Sequence, residues 1–193
     1  MGRKLQVILL GILIVPVIQG QKNEVAHQQT EFSEESPIQR PVPLPPDVYK
    51  LLLQRTEVKQ DLPFFDSGPV TPDQLFTAAE IHLNSASKAD LVVAGIPPMT
   101  GADNDWYWIV CSVHGRPRMI LFLGCNSFEI LKTMTNGYHD IRSFWVAGSG
   151  SITRTYKFNG VRYKVWRAIS EEDVPCEWQN SHSKHCSIKR RIQ

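Results

Sequence analysis

Trp106-Tyr107-Trp108-Ile109-Val110-Cys111-Ser112-Val113-His114-Gly115-Arg116-Pro117-Arg118-Met119-Ile120-Leu121-Phe122-Leu123 is the stretch that sets the fold class. Trp106 to Val113 is aromatic and β-branched and alternates, with Trp106, Trp108 and Val110 on one face. His114-Gly115-Arg116-Pro117 reads as a turn, and Arg118 to Leu123 returns as the partner strand of a hairpin. The same pattern continues on both sides. Leu91-Val92-Val93-Ala94 is a short buried-strand run. Gly124 to Ser127 turns the chain into Phe128–Met134. Asn136-Gly137 is a hairpin dipeptide and leads to Ile141–Val146. Ser151–Phe158 and Arg162–Ala168 flank Asn159-Gly160, a second turn of the same chemistry.

Upstream the period changes to helical. Asp47 opens a segment in which Val48, Leu51 and Leu52 share one face. Thr71-Pro72-Asp73-Gln74 carries a cap, a proline at the first helical position and a capping-box glutamine. It predicts a second helix with Leu75, Phe76 and Ala79 facing inward. The expected fold is α+β: mainly an antiparallel β meander of six or seven strands, with one or two N-terminal helices at one face or end.

Four segments follow from composition. Residues 1–20 read as a signal peptide: Arg3 and Lys4, an apolar run from Leu5 to Ile18, then Gly20. The run is shorter than the roughly 20 apolar residues of a spanning helix. Ile18 occupies the position where the best cleavage sites carry a small residue, so membrane attachment is expected only if the leader stays uncleaved. Residues 21–46, with Gln28, Gln29, Glu31, Glu34 and Glu35 followed by Pro37, Pro41, Pro43, Pro45 and Pro46, read as a proline-rich disordered tether. Residues 47–170 form the β-rich globular domain, and 171–193 a basic tail containing Cys and His. Cleavage after Gly20 removes Arg3 and Lys4 from 21 basic residues, leaving 19 against 19 acidic ones. That balance offers no global field for nucleic acid. The expected location is outside the cytoplasm, periplasmic or secreted.

Ile81-His82-Leu83-Asn84-Ser85-Ala86-Ser87-Lys88-Ala89-Asp90-Leu91 resembles a degenerate calcium loop of FG-GAP/VCBS-type repeats, Asp-x-Asn-x-Asp-Gly-x-x-Asp-Leu. Asn84 and Asp90 match it; His82, Ala86 and Ser87 replace an aspartate, an aspartate and the glycine. The resemblance implies at most weak calcium binding, because two side-chain oxygens fall short of the six to eight ligands calcium takes. A wider resemblance spans residues 43–168. It is to small exported bacterial proteins of uncharacterised function, and rests on Gly101-Ala102-Asp103-Asn104, Asn136-Gly137-Tyr138-His139-Asp140-Ile141 and Phe158-Asn159-Gly160-Val161-Arg162-Tyr163. It implies a shared fold and brings no activity.

Four cysteines in an exported chain suggest disulfides. A Cys111–Cys125 bridge would exceed the roughly 7 Å Cα limit in a regular hairpin. Cys176–Cys186 is the expected bridge, with Cys111 and Cys125 as buried thiols or strand-crossing partners. Cys176, His182, His185 and Cys186 are a zinc-type set in composition, but their spacing matches no finger pattern. No confident metal site, cofactor or catalytic residue emerges, and no Gly-x-Ser-x-Gly, His-Glu-x-x-His or phosphate-loop motif is present. Three function classes remain. The leading one is a non-enzymatic binding or envelope-associated module, whose face would hold Tyr107, Tyr156, Arg154 and Arg162 against a protein or polymer outside the cytoplasm. The others are a small hydrolase using Cys111 and His114, and an enzyme inhibitor presenting Gly148–Ser151.

Overall fold

The computed structural model describes residues 28–64, 70–84, 89–97, 99–100, 104–175 and 185–192, with 172–175 and 185–192 as backbone. In chain order the elements are β1 (Glu31–Ser33), α1 (Pro46–Leu53), α2 (Thr56–Asp61), α3 (Pro72–Leu75), β2 (Phe76–Ile81), β3 (Asp90–Gly95) and β4 (Asp105–Val113). Then come β5 (Arg116–Cys125), β6 (Ser127–Thr135), β7 (Tyr138–Ala147), β8 (Gly150–Phe158), β9 (Tyr163–Pro175) and β10 (His185–Ile192). All pairings among the described strands are antiparallel. The fold is α+β and mainly a β meander, as the strand pattern implies.

The meander divides into two sheets, one ordered β2-β3-β4-β5 and one ordered β1-β6-β7-β8-β9-β10. The alternation in β4 explains why they stack. Trp108 and Val110 point one way and pack with Val48 and Leu52 of α1 and Val58 of α2. Tyr107, Ile109 and Cys111 point the other way and pack with Phe128, Ile130, Ile141 and Tyr156 of the larger sheet. Both faces of β4 are therefore buried, and the molecule has three layers: helices, small sheet, large sheet. Tight turns hold the register. His114 and Gly115 (φ 49° and 76°) and Asn136 and Gly137 (φ 50° and 78°) both adopt the double positive-φ geometry that suits two-residue hairpins.

Three segments differ from the sequence expectation. The stretch expected as a disordered tether is packed onto the domain from residue 28 onward. β1 pairs with β6, and Val42 bridges Ala78. Phe32 is buried and stacks on Phe128 at 4.7 Å between ring centroids. One large ring in register with a partner, added to backbone pairing, offsets the ordering entropy that a polar composition alone would not. The second helix ends after one turn. The capping signal is real, since the Thr71 N–H donates to Gln74 Oε1 at 2.8 Å, but Phe76 and Ala79 lie on β2, paired with Gly95 and Val92. Sheet pairing overrides local propensity there. The boundary at residue 170 falls inside β9, and β10 pairs back along it, placing Cys186 opposite Val174.

The packed arm can be tested simply. Phe32→Leu should cost about 1–2 kcal/mol, because part of a buried ring is lost. The check is urea unfolding of the two proteins. Unchanged stability would return residues 28–38 to the role of a passive tether.

Candidate functional site

Three of the four motif segments singled out in the sequence, the loop around Asn84, Asn136–Ile141 and Phe158–Tyr163, meet at one end of the stacked sheets. Asn84 forms a bridge with Tyr138, and the His139 N–H donates to the Leu83 carbonyl at 2.7 Å. Asn136 Nδ2 donates to the Phe158 carbonyl at 2.7 Å, and the Tyr163 hydroxyl donates to the His139 carbonyl. Tyr138 stacks on Phe158 at 4.0 Å, and Phe158 meets Tyr163 edge-on at 5.5 Å. Each motif thus satisfies backbone groups of another. Their co-occurrence has an architectural cause: they lock β7, β8 and β9 to the loop that precedes β3.

Asp90 belongs to this corner. It is 5% exposed and accepts a hydrogen bond from the Leu83 N–H, while its Oδ2 makes none among the described residues. Burial pushes its carboxyl up to about 6, offset in part by the Leu83 N–H and by nearby His82. Asp90 therefore closes the turn between β2 and β3 from the inside. The middle of the loop, residues 85–88, and Gly101–Asp103 lie outside the described residues. Among the described residues no group of three or more His, Cys, Asp or Glu is placed to hold a metal ion.

Cys111 lies near Asp90, and Arg118 is its partner across β5. Burial and the neighbouring Asp90 push the Cys111 thiol up, and Arg118 pulls it part of the way back. A thiol so placed is protonated at neutral pH and is a poor nucleophile. His114 sits exposed in the turn beyond it. Cys111 and Cys125 are both buried free thiols, and burial with Asp105 nearby raises Cys125 to about 12. Gly148 and Ser149 form a two-residue turn between the paired Ala147 and Gly150. Cys176 of the expected bridge and the leader, residues 1–20, lie outside the described residues.

The binding face expected around Tyr107, Tyr156, Arg154 and Arg162 is not assembled. Tyr107 and Tyr156 are 3% and 9% exposed and belong to the layer between the sheets. The Tyr107 hydroxyl is tied to Asp105 Oδ2 at 2.9 Å. Arg154 lies in the row between the buried Ser143 and Ala168, close enough to Cys125 to oppose the rise of its thiol. Arg162 is exposed in the β8–β9 loop. Alternation around the two strands places both tyrosines inward because Tyr156 pairs with Ile141, itself fully buried.

The same alternation sends a different set outward. Arg142, flanked by buried Ile141 and Ser143, lies in one row with Glu129, Thr155 and Arg167 across β6 to β9. Lys157 is directly opposite Lys164. Beside them Trp166 is 60% exposed, with the Lys157 ammonium 4.0 Å from its ring centroid. Phe144, 41% exposed, occupies the next row. Glu129 is engaged by Arg142. Lys157, Lys164 and Arg167 make no ion pair among the described residues. One signal for this set was in the sequence: Lys157 and Lys164 are symmetric about the Asn159–Arg162 loop. Trp166 was not legible, because it falls at a register shift in the β8–β9 pairing, where Thr155 pairs with Arg167 and Tyr156 with Val165. No protein-family model, curated protein or solved structure matches the chain.

Proposed function

We propose that this chain is an exported, non-enzymatic binding module whose contact surface is the outward side of the six-stranded sheet around Trp166. Export rests on the charged, apolar and small-residue order of residues 1–20. The observation that carries the contact surface is Trp166 itself, an indole 60% exposed with the Lys157 ammonium over its ring. The solvent side of an antiparallel sheet is ordinarily polar. A tryptophan standing there leaves apolar area in water that a partner would cover. Lys157 is attracted to the ring face and steadies it, so little side-chain freedom is left to lose on contact. Exposed aromatics with flanking cations are the composition of binding hot spots.

The test immobilises the purified chain and offers it polysaccharide and protein fractions from outside the cytoplasm. Trp166→Ala should lower retention of the bound component about tenfold or more, as loss of a hot spot does. Its unfolding free energy should change by less than about 0.5 kcal/mol, as at other exposed positions. Equal retention by wild type and variant would remove this face from the function.

A further inference from the structure

We infer that the partner of this face is an acidic polysaccharide, a sugar chain bearing repeated carboxylates, laid across β8 and β9; the inference rests on the contact surface proposed above. Its first support is the charge of the patch. Lys157, Lys164 and Arg167 stand on the outward side of β8 and β9 with no ion pair among the described residues, and Arg142 on β7, paired with Glu129 from β6, borders them. Strands lie about 4.8 Å apart, so Arg142 on β7 and Arg167 on β9 are separated by about 10 Å across the sheet. That is the span of about two sugar rings.

The second support is the Lys157–Lys164 pair. Like charges directly opposite on neighbouring strands repel, and folding gains nothing from them. Lys157 gains the Trp166 ring in return, but Lys164 has no such contact among the described residues, and a position that violates a local rule in this way marks a task outside folding. An anionic chain lying between the two ammonium groups converts the repulsion into attraction on both sides. Complementarity of this kind sets both specificity and encounter rate.

The third support is the single indole among the cations. The face of an aromatic ring carries partial negative charge. The C–H groups on one side of a sugar ring carry the opposite sign and pack flat against it. Single-stranded nucleic acid would call for several stacking rings along a basic groove. Among the described residues the exposed rings of this face are Trp166 and, a row away, Phe144, too few for such a groove, in a chain with 21 basic and 19 acidic residues overall.

Calorimetric titration of the purified chain at low salt separates the possibilities, with polygalacturonate as the acidic polysaccharide, and dextran, polyglutamate and oligothymidylate as the comparison polymers. Polygalacturonate should bind, dextran should not, and added salt should weaken binding because the charges are exposed. Lys157→Glu with Lys164→Glu should weaken it at least about tenfold, and Trp166→Ala by a similar factor. Arg167→Glu gives a second measure should the double variant fold poorly. Absence of polygalacturonate binding, or equal binding by all variants, would overturn the inference. Tighter binding of polyglutamate or oligothymidylate would do the same. If Trp166→Ala abolishes retention in the fractionation test while polygalacturonate does not bind, the contact surface stands and only the ligand class falls.

Discussion

Trp108→Ala should remove about 4–5 kcal/mol of stability, enough to leave most domains of this size barely folded. Trp108 has no solvent exposure and joins two layers. It stacks on Phe122 at 5.6 Å and meets Phe76 and Trp106 edge-on at 5.5 and 6.1 Å. Its Nε1 donates to Glu57 Oε1 at 3.0 Å, which ties α2 to β4. Burial alone would raise the Glu57 carboxyl, yet the hydrogen bonds from Trp108, its own backbone and Arg55, with the Arg55 charge, hold it below the ordinary value. Truncation therefore opens a ring-sized cavity and removes one partner of a carboxylate. Trp108→Phe keeps most of the ring and loses the hydrogen bond, and should cost about 1–2 kcal/mol. Urea unfolding of both variants checks the pair of values. A loss below about 1.5 kcal/mol for the alanine variant would mean that the helices do not depend on this ring.

Asp90 should make the protein lose stability as pH rises through the weakly acid range. The folded carboxyl sits at about 6 against 3.8 for the ordinary group. Between those values the folded state keeps a proton that the unfolded state has released, so stability falls with rising pH. The difference of about two pH units corresponds to about 3 kcal/mol, lost between roughly pH 4 and 6 and constant above. Asp90→Asn has no charge to bury and can still accept the Leu83 N–H. Its unfolding free energy should therefore fall less than that of wild type across this window, by about 3 kcal/mol. Chemical denaturation at pH 4, 5, 6 and 7 measures the difference. Parallel curves for the two proteins would show that Asp90 is solvated, and would remove it from the inner side of the β2–β3 turn.

The strand-by-strand outline was legible because it rests on local rules. The Asn136-Gly137 and His114-Gly115 turns need positive φ at two successive positions, and few dipeptides suit that conformation. Alternation along Trp106–Val113 correctly placed Trp108 and Val110 on one face. The site was less legible. Tyr107 and Tyr156 were natural choices for a binding face, since tyrosine suits both core and surface. Nothing local says that β4 is covered on both sides, or that Tyr156 lies opposite a buried isoleucine. Cys111 and His114, three residues apart, looked like a nucleophile and base. The Cys111 thiol faces the inter-sheet layer beside Asp90 and Arg118, while His114 stands in an exposed turn.

By itself the sequence determined the turns, the alternation and the strand grammar, because each depends on residues close together in the chain. The tertiary structure alone decided three other matters. It split the meander into two stacked sheets and recruited Phe32 from a polar arm to meet Phe128. It brought the loop around Asn84, Asn136–Ile141 and Phe158–Tyr163 into one corner through contacts such as Asn136 with Phe158. It chose Trp166 rather than the tyrosines for the surface. The physical reason is the same in each case. Which side of a strand is wet depends on what packs against it, and that partner is a segment distant in sequence whose register is set only when the sheets close.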